Sequence, residues 1–540
     1  MRIPLVATLA AGGILWAAGG AAVGKPLYVE TFEGPVVGNV ERGVEYFLGI
    51  PYAEPPVGQR RLRSPVPHQR WTIPLSTAQT GSACPQNPSP DPAGLPSETE
   101  DCLFLNLFIP ERRTTKPPVL VWIHGGAFAE GYGGSRLYDG SELARDRHVI
   151  VVTINYRLGA LGFLSTRELD LENAAGNSGN FGLQDQQEAL RWVQRNIRAF
   201  GGDPTNVTVF GESAGAMSVV DHLVSPAARG LFQRAIIQSA ALNVHAPAKK
   251  KVQDTLGLGF LKETGCDRKA DAAACLRQLP VSAFLKSQSF WLPIQDGSLI
   301  PTQPLEALRQ GAFNRVPIIV GATEKEAYLF VARIEGTAGR AVHESDVLPL
   351  LSASVGDKAQ QVMKNYPINT FSNPADAAAT ALGDGMFNCV ATELAQAMAT
   401  FAPVYSFEFA ERDPTQQQPL PPSTSLSPGY SYHTTDLAYV FDRNLQGERL
   451  DGKDAGLSAL VGEYWSAFAR SGNPNHPGGP PWPTYKLTSR QTLRLTRVPT
   501  IISDNAESHH CHSWRLAGLL DADVQLGLPG SLPVNNDARH

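Results

Sequence analysis

The stretch V-T-V-F-G-E-S-A-G-A, Val207 to Ala216, constrains this chain more than any other. Val207, Val209 and Phe210 read as a short buried strand, and Ala216-Met217-Ser218-Val219-Val220 can continue as a helix. Between them Gly211-Glu212-Ser213-Ala214-Gly215 fits G-x-S-x-G. A glycine on each side of Ser213 lets the strand-to-helix turn be tight enough to hold the serine in a strained, exposed pose. That pose lifts Oγ above the sheet and aims nearby backbone N–H groups at an oxyanion. The bare pentapeptide occurs by chance in many proteins; the strand before it and the helix after it give it weight.

The remaining elements supply the sheet that such a turn needs. Val119-Leu120-Val121-Trp122-Ile123 is a continuous apolar run, as expected of a strand buried on both faces. His148 to Asn155, Arg234 to Gln238, Val316 to Gly321 and Val404 to Phe409 read as further core strands, and Leu103 to Ile109 as one more. Gln184 to Phe200 has helical spacing, with Leu190, Val193, Ile197 and Phe200 on one side. Leu27 to Leu48 alternates Val, Tyr and Phe with polar residues, which predicts antiparallel edge strands. Gly49 to Gly58 is too rich in proline for a regular element, and Pro414 to Pro428 reads as a surface loop. Strands alternating with helices predict an α/β fold with a large, mostly parallel central sheet and helices on both faces.

A chain of 540 residues can bury a large core unaided, and no composition break marks a second domain. A net charge of −5 without any basic run argues against nucleic acid as a partner. At the N-terminus, Arg2 precedes an apolar run from Ile3 to Ala18 and the small residues Gly19-Gly20-Ala21-Ala22. This is the pattern of a secretory signal cleaved between Ala18 and Gly24. The expected organisation is a signal peptide over residues 1–24 and one domain over 25–540. The protein is then exported, periplasmic or secreted, with no membrane anchor after cleavage. Glycines interrupt the run and no charged stop follows it, which argues against a retained anchor. Cys84, Cys102, Cys266, Cys275, Cys389 and Cys511 are even in number and lack zinc spacing, so disulfides are the better reading than metal. Sequence alone does not choose among the pairings.

Ordered landmarks then give the chain a likeness. G-I-P-Y-A-E-P-P-V-G at Gly49, E-D-C-L-F-L-N at Glu100, W-I-H-G-G-A-F at Trp122 and N-Y-R-L-G-A-L-G-F-L at Asn155 come first. G-N-F-G-L-Q-D-Q at Gly179 and F-G-G-D-P at Phe200 lead into the serine motif. From about residue 27 to Trp514 the chain resembles the type-B carboxylesterase and cholinesterase branch of the α/β-hydrolases. The resemblance implies a serine esterase acting on a small-molecule ester, without cofactor or metal. The sequence does not set the oligomeric state, and a monomer is the favoured expectation.

It also implies partners for Ser213. The family's acid lies in G-x-x-x-x-E after a core strand, here Gly321 to Glu326; Glu326 takes that position and Glu324 is a neighbouring distractor. Lys325 and Ala327 depart from the usual pattern. His433, in Y-S-Y-H-T-T-D-L-A-Y-V-F, matches the family's histidine. The order Ser213, Glu326, His433 is the one expected for this fold. The backbone N–H groups of Gly126, Ala127 and Ala214 are implied as the oxyanion hole. The implied disulfides are Cys84–Cys102, Cys266–Cys275 and Cys389–Cys511.

Cholinesterases bear a tryptophan in the first cysteine loop that faces a quaternary ammonium. Pro85 to Asp101 contains no aromatic residue, so choline esters are disfavoured. The acyl-pocket aromatics of cholinesterases fall on Ser287 and Ser289, which suggests a roomier, more polar pocket. Phe290 and Trp291 could equally fill that space from shifted positions. The full chain is also similar to exported bacterial carboxylesterases, among them esterases that remove tricarballylate side chains from the aminopolyol fumonisin. The readings are therefore an exported carboxylesterase of that kind, a broad esterase for neutral short-chain esters, or, from another class, a non-catalytic adhesion protein of the same fold. An intact Ser213, Glu326 and His433 argues against the last. A lidded lipase is disfavoured by the polar, proline-rich cysteine loop, and Asn206-Val207-Thr208 reads as a chance glycosylation match inside a strand.

Overall fold

The structure is a computed structural model that describes residues 27–518 apart from 90–91, 114–115, 173–175, 242–245, 288 and 417. The signal segment expected at 1–24 lies outside the described residues. A large sheet organises the rest. Its strands are β1 (Leu27–Glu30), β2 (Pro35–Glu41), β3 (Val44–Pro51), β4 (Leu75–Ser76), β5 (Phe104–Pro110), β6 (Val119–Ile123) and β7 (Ile150–Ile154). They are followed by β8 (Val207–Glu212), β9 (Arg234–Gln238), β10 (Ile318–Thr323), β11 (Val404–Phe409), β12 (Thr492–Leu495) and β13 (Thr500–Ile502). The spatial order is β1-β2-β3-β5-β7-β6-β8-β9-β10-β11-β12-β13, with β4 beside β2. Every pairing from β7 to β12 is parallel, and the pairings outside that run, the short β4 excepted, are antiparallel.

The apolar run that predicted β6 is divided between two cores. Val119, Val121 and Ile123 pack into one hydrophobic layer, while Leu120 and Trp122 point into the other. This is the period-2 alternation of a strand covered on both faces. Helix Phe181–Asn196 supplies Leu190, Trp192 and Val193 to the first layer. Helix Gly452–Ser471 supplies Val461, Trp465 and Phe468 to the second. At roughly 1.5–3 kcal/mol for each large apolar side chain removed from water, these layers hold the parallel strands in register.

Several element boundaries differ from the sequence expectation, among them two that bear on the frame of the site. The proline-rich stretch from Gly49 is not wholly irregular: β3 runs on to Pro51 across a register shift between Phe47 and Ile50. The helix expected from Gln184 begins at Phe181 and ends at Asn196. Asn180 precedes it without capping it, because its side chain exchanges two 2.9 Å hydrogen bonds with the Ile294 backbone instead.

Disulfides join Cys84 to Cys102, Cys266 to Cys275 and Cys389 to Cys511, the pairs that the resemblance implied. Among the described residues no helix is long and apolar enough to cross a membrane.

Candidate active site

The site lies at the carboxyl ends of the parallel strands, where an open α/β sheet presents its loops. β8 ends at Glu212, and Ser213 adopts φ 56°, ψ −122° before helix Ala214–Val224 begins. Such a conformation costs a non-glycine residue on the order of 1–3 kcal/mol and persists only when its surroundings enforce it. They do so here. Ser213 N–H donates to the Gln238 carbonyl at 3.0 Å, and the Ser213 carbonyl accepts from Met217 N–H at 2.9 Å. A Cβ on Gly215 would stand 2.0 Å from the Ile123 carbonyl oxygen, and one on Gly211 would stand 2.5 Å from the Gly215 carbonyl carbon. Both glycines are thus required by close backbone approach.

His433 reaches this turn from the loop that precedes helix Thr435–Phe441. Its Nδ1 is 2.6 Å from Glu326 Oε2, and its backbone N–H donates to the Glu326 carbonyl at 3.3 Å. The other carboxylate oxygen of Glu326 accepts from Thr323 N–H and from Ser239 Oγ, each at 2.6 Å. Glu326 is fully buried, so all of its charge is satisfied by these groups and the imidazole. A carboxylate at Nδ1 holds the proton there and leaves Nε2 facing the serine turn. Nε2 is 3.2 Å from Oε1 of Glu212, the residue next to Ser213. Phe330 and Phe387 close the ring in, with centroids 4.9 and 4.8 Å away. Burial alone would lower the His433 pKa; the charges of Glu212 and Glu326 outweigh it and push the imidazole up to about 9.

Glu324 is elsewhere. It pairs with Arg412 at 2.8 Å and Arg494 at 2.9 Å, away from the imidazole.

The glycine-rich loop follows β6. Gly126, Ala127 and Phe128 have φ values of 103°, 55° and 58°, a run of left-handed residues that turns their amides away from the sheet ladder. Among the described residues the N–H groups of Gly126, Ala127 and Ala214 have no protein acceptor. The loop sits directly on the serine turn: a Cβ on Gly125 would come within 2.9 Å of the Glu212 carbonyl and 3.0 Å of Ser213 Cβ. His124 braces it. Burial pushes this imidazole down to about 4, so it is neutral; Nδ1 lies 2.8 Å from the Gly125 carbonyl and the ring stacks on Tyr156 at 4.4 Å.

A cavity of about 670 Å³ opens beside these loops. The cysteine loop (Pro85, Asn87), the end of the glycine-rich loop (Ala129, Glu130) and helix Tyr328–Ala338 (Arg333) line it. Ser287 and Ser289 are both on its wall. Trp291, which the same wall includes, is buried against Phe260, whereas Phe290 stands 56% exposed at the rim. Sequence reasoning did not single out Glu212 as a partner of the histidine, nor Ser239, Phe330, Phe387 or Arg333. A usable signal existed for Ser239, which directly follows β9 at the same carboxyl edge as Ser213.

A model of the carboxylesterase family matches residues 25–514. The chain belongs to that family. This carboxylesterase is 38% identical over 495 residues to the para-nitrobenzyl esterase of Bacillus subtilis (strain 168), covering 88% of the chain and 96% of the relative. It is 33% identical over 478 residues to the fumonisin B1 esterase of Sphingopyxis macrogoltabida, covering 85% of each. It is 32% identical over 525 residues to a cholinesterase of Mus musculus, covering 89% of the chain and 84% of the relative. A solved PNB esterase superposes with a TM-score of 0.76 at 34% identity, over 89% of this chain and 98% of that one. The carboxylesterase is thus a carboxylic ester hydrolase with an α/β-hydrolase fold.

Proposed function

We propose that the enzyme is an exported serine carboxylesterase that turns over through an acyl-enzyme on Ser213. The observation that carries this reading is the Glu326–His433 pair at 2.6 Å, with the imidazole walled against the turn that bears Ser213. In this mechanism His433 Nε2 takes the Ser213 proton as Oγ attacks the ester carbonyl. Glu326 fixes the tautomer and stabilises the imidazolium. The N–H groups of Gly126, Ala127 and Ala214 receive the oxyanion, each such donor typically lowering the barrier by about 3 kcal/mol. His433 then hands the proton to the departing alcohol; water, deprotonated by the same nitrogen, attacks the acyl-enzyme, and that proton returns to Ser213 Oγ as the acid leaves.

For the substrate we favour the tricarballylate esters of fumonisin B1. The similarity to a fumonisin B1 esterase supports this, as does a roomy cavity with Ser287 and Ser289 on its wall. The apolar wall formed by Leu158, Leu161, Phe284 and Leu285 favours a second reading, a broad esterase for neutral short-chain esters. Export rests on the N-terminal pattern, and the three disulfides are consistent with an oxidising compartment.

The test is hydrolysis of a neutral aryl ester and a tricarballylate ester of a bulky alcohol by the parent and by Ser213→Ala. Ser213→Ala is expected to lower kcat on both esters by roughly 10⁴-fold or more. Preference of the parent for the polyacid ester supports the fumonisin reading, and preference for the neutral ester discards it while keeping the serine mechanism. Turnover surviving in Ser213→Ala sinks the mechanism.

A further inference from the structure

Arg333 and Glu130 are the ionisable residues on the cavity wall, among the described residues. Arg333 follows Phe330 by three residues on helix Tyr328–Ala338, and the Phe330 ring abuts His433. Residues three apart share a helix face, so the guanidinium is carried on the side of the helix that meets the imidazole. Its Nη2 donates to Gln418 Oε1 at 3.0 Å. Its Nη1 comes only to 3.9 Å from Glu130 Oε1, too far for a hydrogen bond. These two partners leave most of the N–H donors of the guanidinium available to a ligand. The side chain is 33% exposed, within a largely apolar wall.

We infer that Arg333 selects esters carrying a second, ionised carboxyl group, the half-esters of di- and polycarboxylic acids. The inference rests on the serine mechanism proposed above for turnover. A guanidinium presents a planar fork that a carboxylate matches with two parallel hydrogen bonds, and an apolar surround strengthens that pair relative to water. At that 3.9 Å separation Glu130 is a distant counter-ion of the guanidinium, whose place beside Arg333 an incoming carboxylate takes. It hangs from the glycine-rich loop, its N–H bonded to the Gly126 carbonyl at 3.0 Å, so exchange of the carboxylate happens beside the reacting carbonyl.

The test compares mono-(4-nitrophenyl) glutarate with 4-nitrophenyl butyrate, a charged and a neutral ester of similar size and the same leaving group. The readout is the ratio of their kcat/KM values. Arg333→Gln is expected to lower the charged-to-neutral ratio about tenfold or more, chiefly through the KM of the glutarate, with Arg333→Lys intermediate. Glu130→Gln removes the competing carboxylate and is expected to raise the ratio. In the parent, added salt is expected to lower it. A ratio that stays within about twofold in Arg333→Gln, or one that falls in Glu130→Gln, overturns the assignment. Should Arg333→Gln fail to fold, judged by its thermal unfolding, Glu130→Gln and the salt series decide. Ser213→Ala on the butyrate ester separates the two ideas: loss of turnover there with an unmoved ratio sinks Arg333 alone, and retained turnover sinks the serine mechanism itself.

Discussion

Two carboxylates share one imidazole at this site, Glu326 at Nδ1 and Glu212 at Nε2. Both favour the protonated ring, which outweighs the effect of burial and pushes the pKa up to about 9. The proposed general base is the neutral ring, so kcat/KM should rise with pH through the free-enzyme value. Glu212→Gln removes one of the charges and should move this acid limb to lower pH by about one unit or more, read from a kcat/KM–pH profile. An unmoved limb would show that Glu212 does not act on His433. Gly215→Ala is a second residue-level test. Its methyl would meet the Ile123 carbonyl oxygen at 2.0 Å, so the serine turn and β6 must part, and activity should fall at least tenfold even where the protein folds. Assay of the soluble variant checks this. The G-x-S-x-G pattern made both glycines legible in the sequence. Glu212 sits inside that same pattern, yet the spacing carries no information on where His433 Nε2 points.

Among the elements, helix Cys511–Leu516, the last helix among the described residues, is fastened to the segment that walls the site. Cys511 is bonded to Cys389, two residues beyond Phe387, whose ring touches His433. Beside that bond His509 lies buried with Nδ1 2.5 Å from Asp384 and Nε2 2.8 Å from Glu408. Burial would lower this imidazole, but the two carboxylates push it up to about 10. A raised folded-state pKa contributes stability that is complete below the unfolded value of about 6.5 and lost as pH rises through the folded one. The parent should therefore lose Tm between about pH 6.5 and 9.5, and His509→Gln should show a smaller loss over that window in a thermal-unfolding series. Equal slopes would mean that the cluster does not hold the helix. Replacing Cys389 and Cys511 together by Ser should cost up to about 4–5 kcal/mol in denaturant unfolding, given the 122-residue separation. The strands themselves were readable: β6, β9 and β11 fall where continuous apolar or β-branched runs predicted them. Helix Phe181–Asn196 departs from the expected Gln184–Phe200 at both ends: Asn180 spends its side chain on Ile294 rather than on a cap, and beyond Asn196 the Ala199 and Phe200 N–H groups turn back to carbonyls three residues earlier. The walls made by Phe330 and Phe387 were not readable, because they come from separate helices that only tertiary packing brings to His433.

For the molecule as a whole, the sheet joins residues that the sequence keeps far apart. The proposed nucleophile follows β8, its acid follows β10 and its histidine lies beyond β11, all on parallel strands. The presence of those strands and their parallel sense followed from hydrophobic runs alternating with helices, whereas the cavity between their loops did not, because Pro85, Glu130, Ser287 and Arg333 belong to four segments with no shared motif. The N-terminal pattern makes a prediction at this scale too. The mature protein recovered outside the cytoplasm should begin between residues 19 and 25, and terminal sequencing of the exported fraction checks it. An intact Met1 in that fraction would discard the signal. The parallel arrangement also bears on how the chain comes to be active. Parallel neighbours cannot be joined by a tight hairpin, so each pairing that places a site residue waits on the closure of a long loop. On dilution from denaturant, helical signal should return early and ester hydrolysis last, which makes turnover a clock for completed folding and hydrolysis by any fragment that ends before β11 an unlooked-for result.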